Sequence, residues 1–245
     1  MTRDGGRREE CADGGDHLVG SCHLHGGGLG GAAAHRPGLR AAAGPSAAAP
    51  GRAPPARAAV ADAVLVSHLH ADHLHLPSLA RLAAGTKLLV PKGAVRAVPG
   101  LRRLARLDVV EVEPGDTEKV GPVTVRVVPA LHDGRRMPVG PRRSPALGFV
   151  VDGRARTYFA GDTGLFDTMA EETGPLDVAL LPVGGWGPGL GHHHLDPARA
   201  AEALRRLAPA SAVPVHYGTY WPIGMDAVRP HEFHSPVTSS SARRR

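Results

Sequence analysis

Residues 67–75 read SHLHADHLH, which packs His68, His70, Asp72, His73 and His75 into nine positions. Imidazole nitrogens and carboxylate oxygens are the donors that zinc prefers, and iron and manganese accept them too. On a tight turn after a strand, the spacing H-x-H-x-D-H lets His68, His70, Asp72 and His73 converge, and four donors this close can serve two cations. A lone H-x-H is more often a solvated loop. Here three further donors follow in order, His132, Asp162 and His216, each at the end of an apolar run, and that ordered set points to metal chemistry.

The elements that must position these donors are legible as short apolar runs. ADAVLVSH reads as a buried strand delivering the histidine cluster. LPSLARLAAG reads as a short helix with Pro77 near its start and Gly85 as its stop. TKLLVPKG and LDVVEVEPG read as strands, and EKVGPVTVRVVPALH as one strand running into His132. ALGFVVDGRARTYFAGDTG predicts a hairpin turning at Asp152-Gly153, its second strand ending at Asp162. DVALLPVGGW predicts a strand with a Gly-rich exit. Asp196 is placed to cap a helix starting at Pro197, with apolar residues on one face of PARAAEALRRLAP and arginines on the other. SAVPVHYGTYW predicts a last strand, ending in His216. Strands and a few helices in this order predict a layered α/β structure with its site along one edge.

The chain has 245 residues, 42% of them hydrophobic, enough to bury one large core or two small ones. No apolar run approaches the ~20 residues of a membrane span, and the N-terminus lacks a basic-then-apolar signal pattern; the expectation is a soluble, cytoplasmic protein. Cys11 and Cys22 lie in a Gly-rich stretch without a partner motif, so neither a disulfide framework nor a zinc ribbon is indicated. A net charge of +6 with a pI near 10.0 raises nucleic acid as a partner. The positive surplus sits in the two ends, however, and residues 61–234 are nearly neutral, so no nucleic-acid partner is expected.

From about Ala61 to His234 the chain resembles the metallo-β-lactamase superfamily, with HLHADH, PALHD, AGDTG and VHYGT in the family's order. The resemblance implies a four-layer αββα sandwich and two divalent metal ions, zinc foremost, with manganese or iron as alternatives. It implies that His68, His70 and His132 hold the first ion, that Asp72, His73 and His216 hold the second, and that Asp162 bridges them. GDTGLF, LLPVGGW, HHLDPARAAEAL and VHYGTYWP are similar to the branch containing N-acyl-phosphatidylethanolamine phospholipase D and the ascorbate-6-phosphate lactonases. In that branch the histidine matching His194 lies near the metals and is placed to contact the substrate or reacting group.

The implied function is hydrolysis of a phosphodiester, phospholipid-like or lactone bond in a small-molecule or lipid-like substrate by a metal-bridging hydroxide. Asp72 then binds metal and orients the nucleophile, and His194 is a proton donor or oxyanion contact. His192 and His193 read as exposed loop, and His75 as outside the metal shell. Gly184, Gly185 and Trp186 read as the pocket mouth, with core packing as the alternative for Trp186. A nuclease of the same superfamily and a catalytically dead metal-binding remnant are the competing functions.

Members of that branch begin with a hairpin carrying a segment like WWGHAT and, further on, LLTDP. Residues 1–60 are instead Gly/Ala/Pro/Arg-rich low-complexity sequence. Codons for DHLVGSCH, read one base later, can spell TTWWGHAT, and those for AAAHRP can spell RLLTDP. At the far end, codons for PVTSSSAR read two bases later permit GDEFVR. The domain organisation expected is therefore a low-complexity, disordered or out-of-frame segment at 1–60, a hydrolase domain at 61–236 with its first β-hairpin missing or frame-shifted, and an out-of-frame basic tail at 237–245. Sequencing the gene is expected to find those shifted codons. Codons unable to encode WWGHAT and LLTDP one base later would sink the idea.

Overall fold

The computed structural model describes residues 61–137, 144–185 and 191–217, together with the backbone of three short strands, β1 (Leu18–Gly20), β2 (Ser46–Ala48) and β12 (Tyr220–Pro222). Apart from those strands, the sequence expectations for 1–60 and 237–245 lie outside the described residues, as does Trp186. Between these strands run β3 (Ala63–Leu65), α1 (Leu76–Leu79), β4 (Lys87–Pro91), α2 (Ala94–Ala97), a 3-10 helix at Pro99–Leu104 and β5 (Asp108–Val112). There follow β6 (Thr117–Val120), β7 (Val123–Pro129), β8 (Leu147–Asp152), β9 (Arg156–Phe159), α3 (Met169–Thr173), β10 (Val178–Pro182), α4 (Pro197–Leu207) and β11 (Ser211–Val215).

Period-2 alternation along the strands builds three apolar layers. In β3 and β4, Val64, Leu88 and Val90 face the helical side with Leu79, Leu101 and Leu104. Their neighbours Ala63, Leu65 and Leu89 face the other way, onto Val123, Val125 and Val127 of β7 and Leu147, Phe149 and Val151 of β8. The far face of β8–β10, with Val150, Tyr158, Ala179 and Leu181, packs on Met169 of α3 and on Ala200, Ala203 and Leu207 of α4. Helices, sheet, sheet, helices is the four-layer αββα order.

Sheet topology explains why the donors gather. One sheet has the order β1-β3-β4-β5, all parallel. The other has the order β11-β10-β9-β8-β7-β6. There β9, β10 and β11 are parallel, while β7 and β9 each run antiparallel to β8. Consequently β7, β9, β10 and β11 all end on the same edge, although 86 positions separate Pro129 from Val215.

Three local expectations need correction. The predicted single strand before His132 is a hairpin, β6 and β7, whose register pairs Val120 with Val123 across Gly121-Pro122; Gly121 turns the chain at φ 54. The β8–β9 turn closes at Asp152 opposite Arg156, a loop of three residues rather than a turn at Asp152-Gly153, tied by an Arg156–Asp152 ion pair at 2.9 Å. The helix expected over LPSLARLAAG is the single turn α1, and Gly85, at φ 80, lies beyond its end. Asp196 does cap α4: its side chain accepts from the Arg199 backbone N–H at 2.8 Å.

Candidate metal centre

His68, His70, Asp72 and His73 occupy the turn between β3 and α1. His132 follows β7, Asp162 follows β9, and His216 follows β11 directly, in the left-handed region at φ 60. A histidine held there is strained, and such strain concentrates where a side chain must be aimed.

The side chains meet in two trios. Nε2 of His68 lies 2.9 Å from Nδ1 of His70, which lies 3.3 Å from Nε2 of His132. Nε2 of His73 lies 3.1 Å from Nε2 of His216 and 3.5 Å from Oδ2 of Asp72, and His216 Nε2 lies 3.6 Å from that same oxygen. Asp162 stands beside both trios: Oδ2 is 3.3 Å from His73 and Oδ1 is 3.4 Å from His216, while its ligand atoms also group with His68 and with His132 and His194. Donors on a tetrahedral zinc at about 2.0–2.1 Å lie roughly 3.3 Å apart. The separations given, 2.9 to 3.6 Å over the two trios, lie around that value. Moreover, Oδ1 of Asp162 is buried and makes no hydrogen bond among the described residues, facing His216 Nε2 at 3.4 Å, a spacing that a cation held by both would satisfy. The donor set fits divalent metal.

Burial and mutual charge perturb these groups in opposite directions. Burial would raise the carboxyls of Asp72 and Asp162, but the neighbouring histidines, His73 and His216, outweigh it and hold both well below the usual carboxylate range. Burial would lower His216, yet Asp162 and Asp72 outweigh it and raise it. Burial keeps His68, His70 and His132 below their ordinary value and takes His194 down to about 4. Neutral imidazole is the ligating form.

Several groups that aim these rings carry no signature in the sequence. The Ser67 hydroxyl contacts Nδ1 of both His68 and His73. The His132 Nδ1–H donates to the His193 carbonyl at 2.9 Å, and the His216 Nδ1–H to the Gly184 carbonyl at 3.4 Å. Arg136 donates to the carbonyls of Leu69 and Leu74, clamping the His68–His73 turn. The Thr163 hydroxyl accepts from the Leu131 N–H at 3.0 Å, tying the exit of β9 to that of β7. A serine, threonine or arginine beside a ligand is too common a neighbour to announce such a role.

His194 lies at the rim of the site. Its Nδ1 is buried without a hydrogen-bond partner among the described residues, 3.9 Å from Oδ2 of Asp162, and its ring meets the edge of His132 at 4.7 Å between centroids. His192 and His193 are exposed, as their sequence context predicts. His75 joins neither trio and contacts the Ser78 hydroxyl at 2.7 Å. Gly184 and Gly185 follow β10 beside His216, where a Cβ on Gly184 would come within 2.9 Å of the His216 carbonyl.

A family model described as the β-lactamase superfamily domain matches residues 36–217, which include all seven donors. The chain belongs to that superfamily. The superfamily match starts inside the Gly/Ala/Pro-rich stretch, upstream of the Ala61 boundary read from composition. Among relatives, the metal-dependent hydrolase of Thermococcus onnurineus is 41% identical over 127 residues, covering 49% of this chain and 50% of the relative. That of Thermoplasma acidophilum is 34% identical over 125 residues, covering 50% and 52%. The chain thus aligns with about half the length of these curated superfamily relatives. The solved structure of Igni18, a metallo hydrolase from the archaeon Ignicoccus hospitalis, is 30% identical, covers 74% of this chain and 73% of its own, and superposes with a TM-score of 0.50. Among the described residues of this superfamily member, no helix is long and apolar enough to cross a membrane.

Proposed function

We propose that the chain is a binuclear metal-dependent hydrolase acting on a phosphodiester, phospholipid-like or lactone bond. The observation that carries this is the convergence of six His and Asp donors into two trios with the buried Asp162 carboxylate beside both. His68, His70 and His132 hold one ion, Asp72, His73 and His216 the other, and Asp162 is shared. Zinc suits the donor set best, and the same shell admits manganese or iron. Residues 61–236 form the catalytic unit, and the cytoplasm is the proposed location.

Bound there, divalent cations supply Lewis acidity, bringing a water's pKa toward neutrality and offsetting charge on substrate oxygens. The chain's own residues do the rest. Asp72, nearly buried and held ionised, accepts a hydrogen bond from an attacking water and so orients it. His194, half-buried at the rim beside Asp162, donates from its ring to a substrate oxygen as charge develops there. Motifs such as GDTGLF and HHLDPARAAEAL, similar to the phospholipase D and lactonase branch, support an ester or phosphodiester substrate. The near-neutral charge of residues 61–234 argues against nucleic acid.

Metal analysis of the purified full chain is expected to find two equivalents, and bis-p-nitrophenyl phosphate or a simple lactone is expected to be hydrolysed until a chelator is added. Two equivalents without turnover on either would make the protein a metal-binding remnant. Preferential cleavage of a plasmid or RNA would make it a nuclease.

A further inference from the structure

We infer that Ser67 is a positioning residue that couples the two metal positions through one hydroxyl; the inference rests on the two-cation reading of the site. Its Oγ lies 3.0 Å from Nδ1 of His68, in the first trio, and 3.4 Å from Nδ1 of His73, in the second. Ser67, His68 and His73 are 1%, 0% and 2% exposed, so bulk water does not replace these contacts. Both rings face their trios with Nε2. A histidine that offers its Nε2 lone pair to a cation carries its hydrogen on Nδ1. Both Nδ1–H groups therefore point at the same oxygen, and a hydroxyl, with two lone pairs, accepts from both. One side chain fixes the tautomer and the aim of a ligand in each trio.

The backbone is arranged around that hydroxyl. Gly161, at φ 59 and next to Asp162, lies so close that a Cβ there would come within 2.4 Å of Ser67 Cβ and 2.9 Å of its Oγ. The Ser67 carbonyl accepts from the Leu147 N–H at 2.8 Å, fixing the residue against the second sheet. Ser67 is thus wedged between the strand exits that carry the first four donors and Asp162.

Zinc titration of the metal-free full chain tests this. The parent is expected to take up two ions, and Ser67→Ala to weaken both positions, each by about 10–100-fold, the usual cost of losing an outer-shell partner. Ser67→Thr, which keeps the hydroxyl, is expected to restore both, a rescue that a purely space-filling role would not require. Circular dichroism of the metal-free variants reads the fold separately. The proposal is overturned if Ser67→Ala binds as the parent does or loses only one position, or if Ser67→Thr, folded, binds as weakly as alanine. A parent that binds two ions but hydrolyses nothing overturns only the hydrolase. A parent that binds fewer than two overturns this coupling together with the binuclear reading.

Discussion

Asp162→Asn is expected to lower turnover of bis-p-nitrophenyl phosphate about a thousandfold and to cut bound metal from two equivalents to one or fewer. Asparagine has the shape of aspartate but replaces one acceptor oxygen with an NH2 donor. In the native site Oδ2 faces His73 at 3.3 Å and Oδ1 faces His216 at 3.4 Å, so either orientation of the amide aims a donor at a ring that should ligate a cation. The substitution also removes the negative charge that serves both trios. Lewis-acid stabilisation of a transition state is worth several kcal/mol, and each ~1.4 kcal/mol is a factor of ten in rate; losing about 4 kcal/mol gives the stated effect. Metal analysis and steady-state kinetics on a variant whose circular dichroism matches the parent make the measurement. Parent-like metal content and rate would remove Asp162 from the shared position.

Gly164→Ala is expected to lower kcat about a hundredfold while most of the fold persists. A Cβ at 164 would meet the His192 carbonyl oxygen at 2.1 Å and Leu131 Cδ2 at 3.2 Å. Gly164 itself cannot retreat, because its N–H donates to the Leu131 carbonyl at 2.8 Å and the Thr163 hydroxyl accepts from the Leu131 N–H. The segment at 191–194 must move instead. That segment supplies the carbonyl holding His132 in its tautomer and carries His194. A displacement on the order of 1 Å at reacting groups costs about 10²-fold, and forcing a methyl into a packed contact costs about 1–3 kcal/mol of stability. Kinetics and thermal unfolding of the metal-loaded variant are the readouts. An unchanged kcat would show that the 191–194 segment does not position the chemistry.

Much of the fold was readable because it follows from local pattern. Alternating or continuous apolar runs over ADAVLV, KLLVP, TVRVV, LGFVV and DVALL predict strands, and these are β3, β4, β7, β8 and β10. Asp196 followed by Pro197 predicts a capped helix, which is α4. Local pattern misled where a turn was hidden inside an apolar stretch: Gly121-Pro122 folds EKVGPVTVRVV into two strands because a register of Val120 opposite Val123 buries both valines. The 3-10 helix at Pro99–Leu104 carried no sequence expectation, yet Leu101 and Leu104 are drawn into the core.

The sequence by itself determined the chemistry available: seven donors of metal-binding type, in a fixed order, each at the end of an apolar run. Residue type and strand periodicity are local properties, so a single chain states them. Which nitrogen of each ring faces inward, and that Ser67, Gly184 and His193 aim those rings, were decided only by tertiary structure. His73 and His216 are 143 positions apart yet 3.1 Å apart in space. That proximity exists because parallel pairing of β9, β10 and β11, and the packing of two sheets face to face, bring strand ends to one edge, a non-local arrangement that no window of sequence encodes.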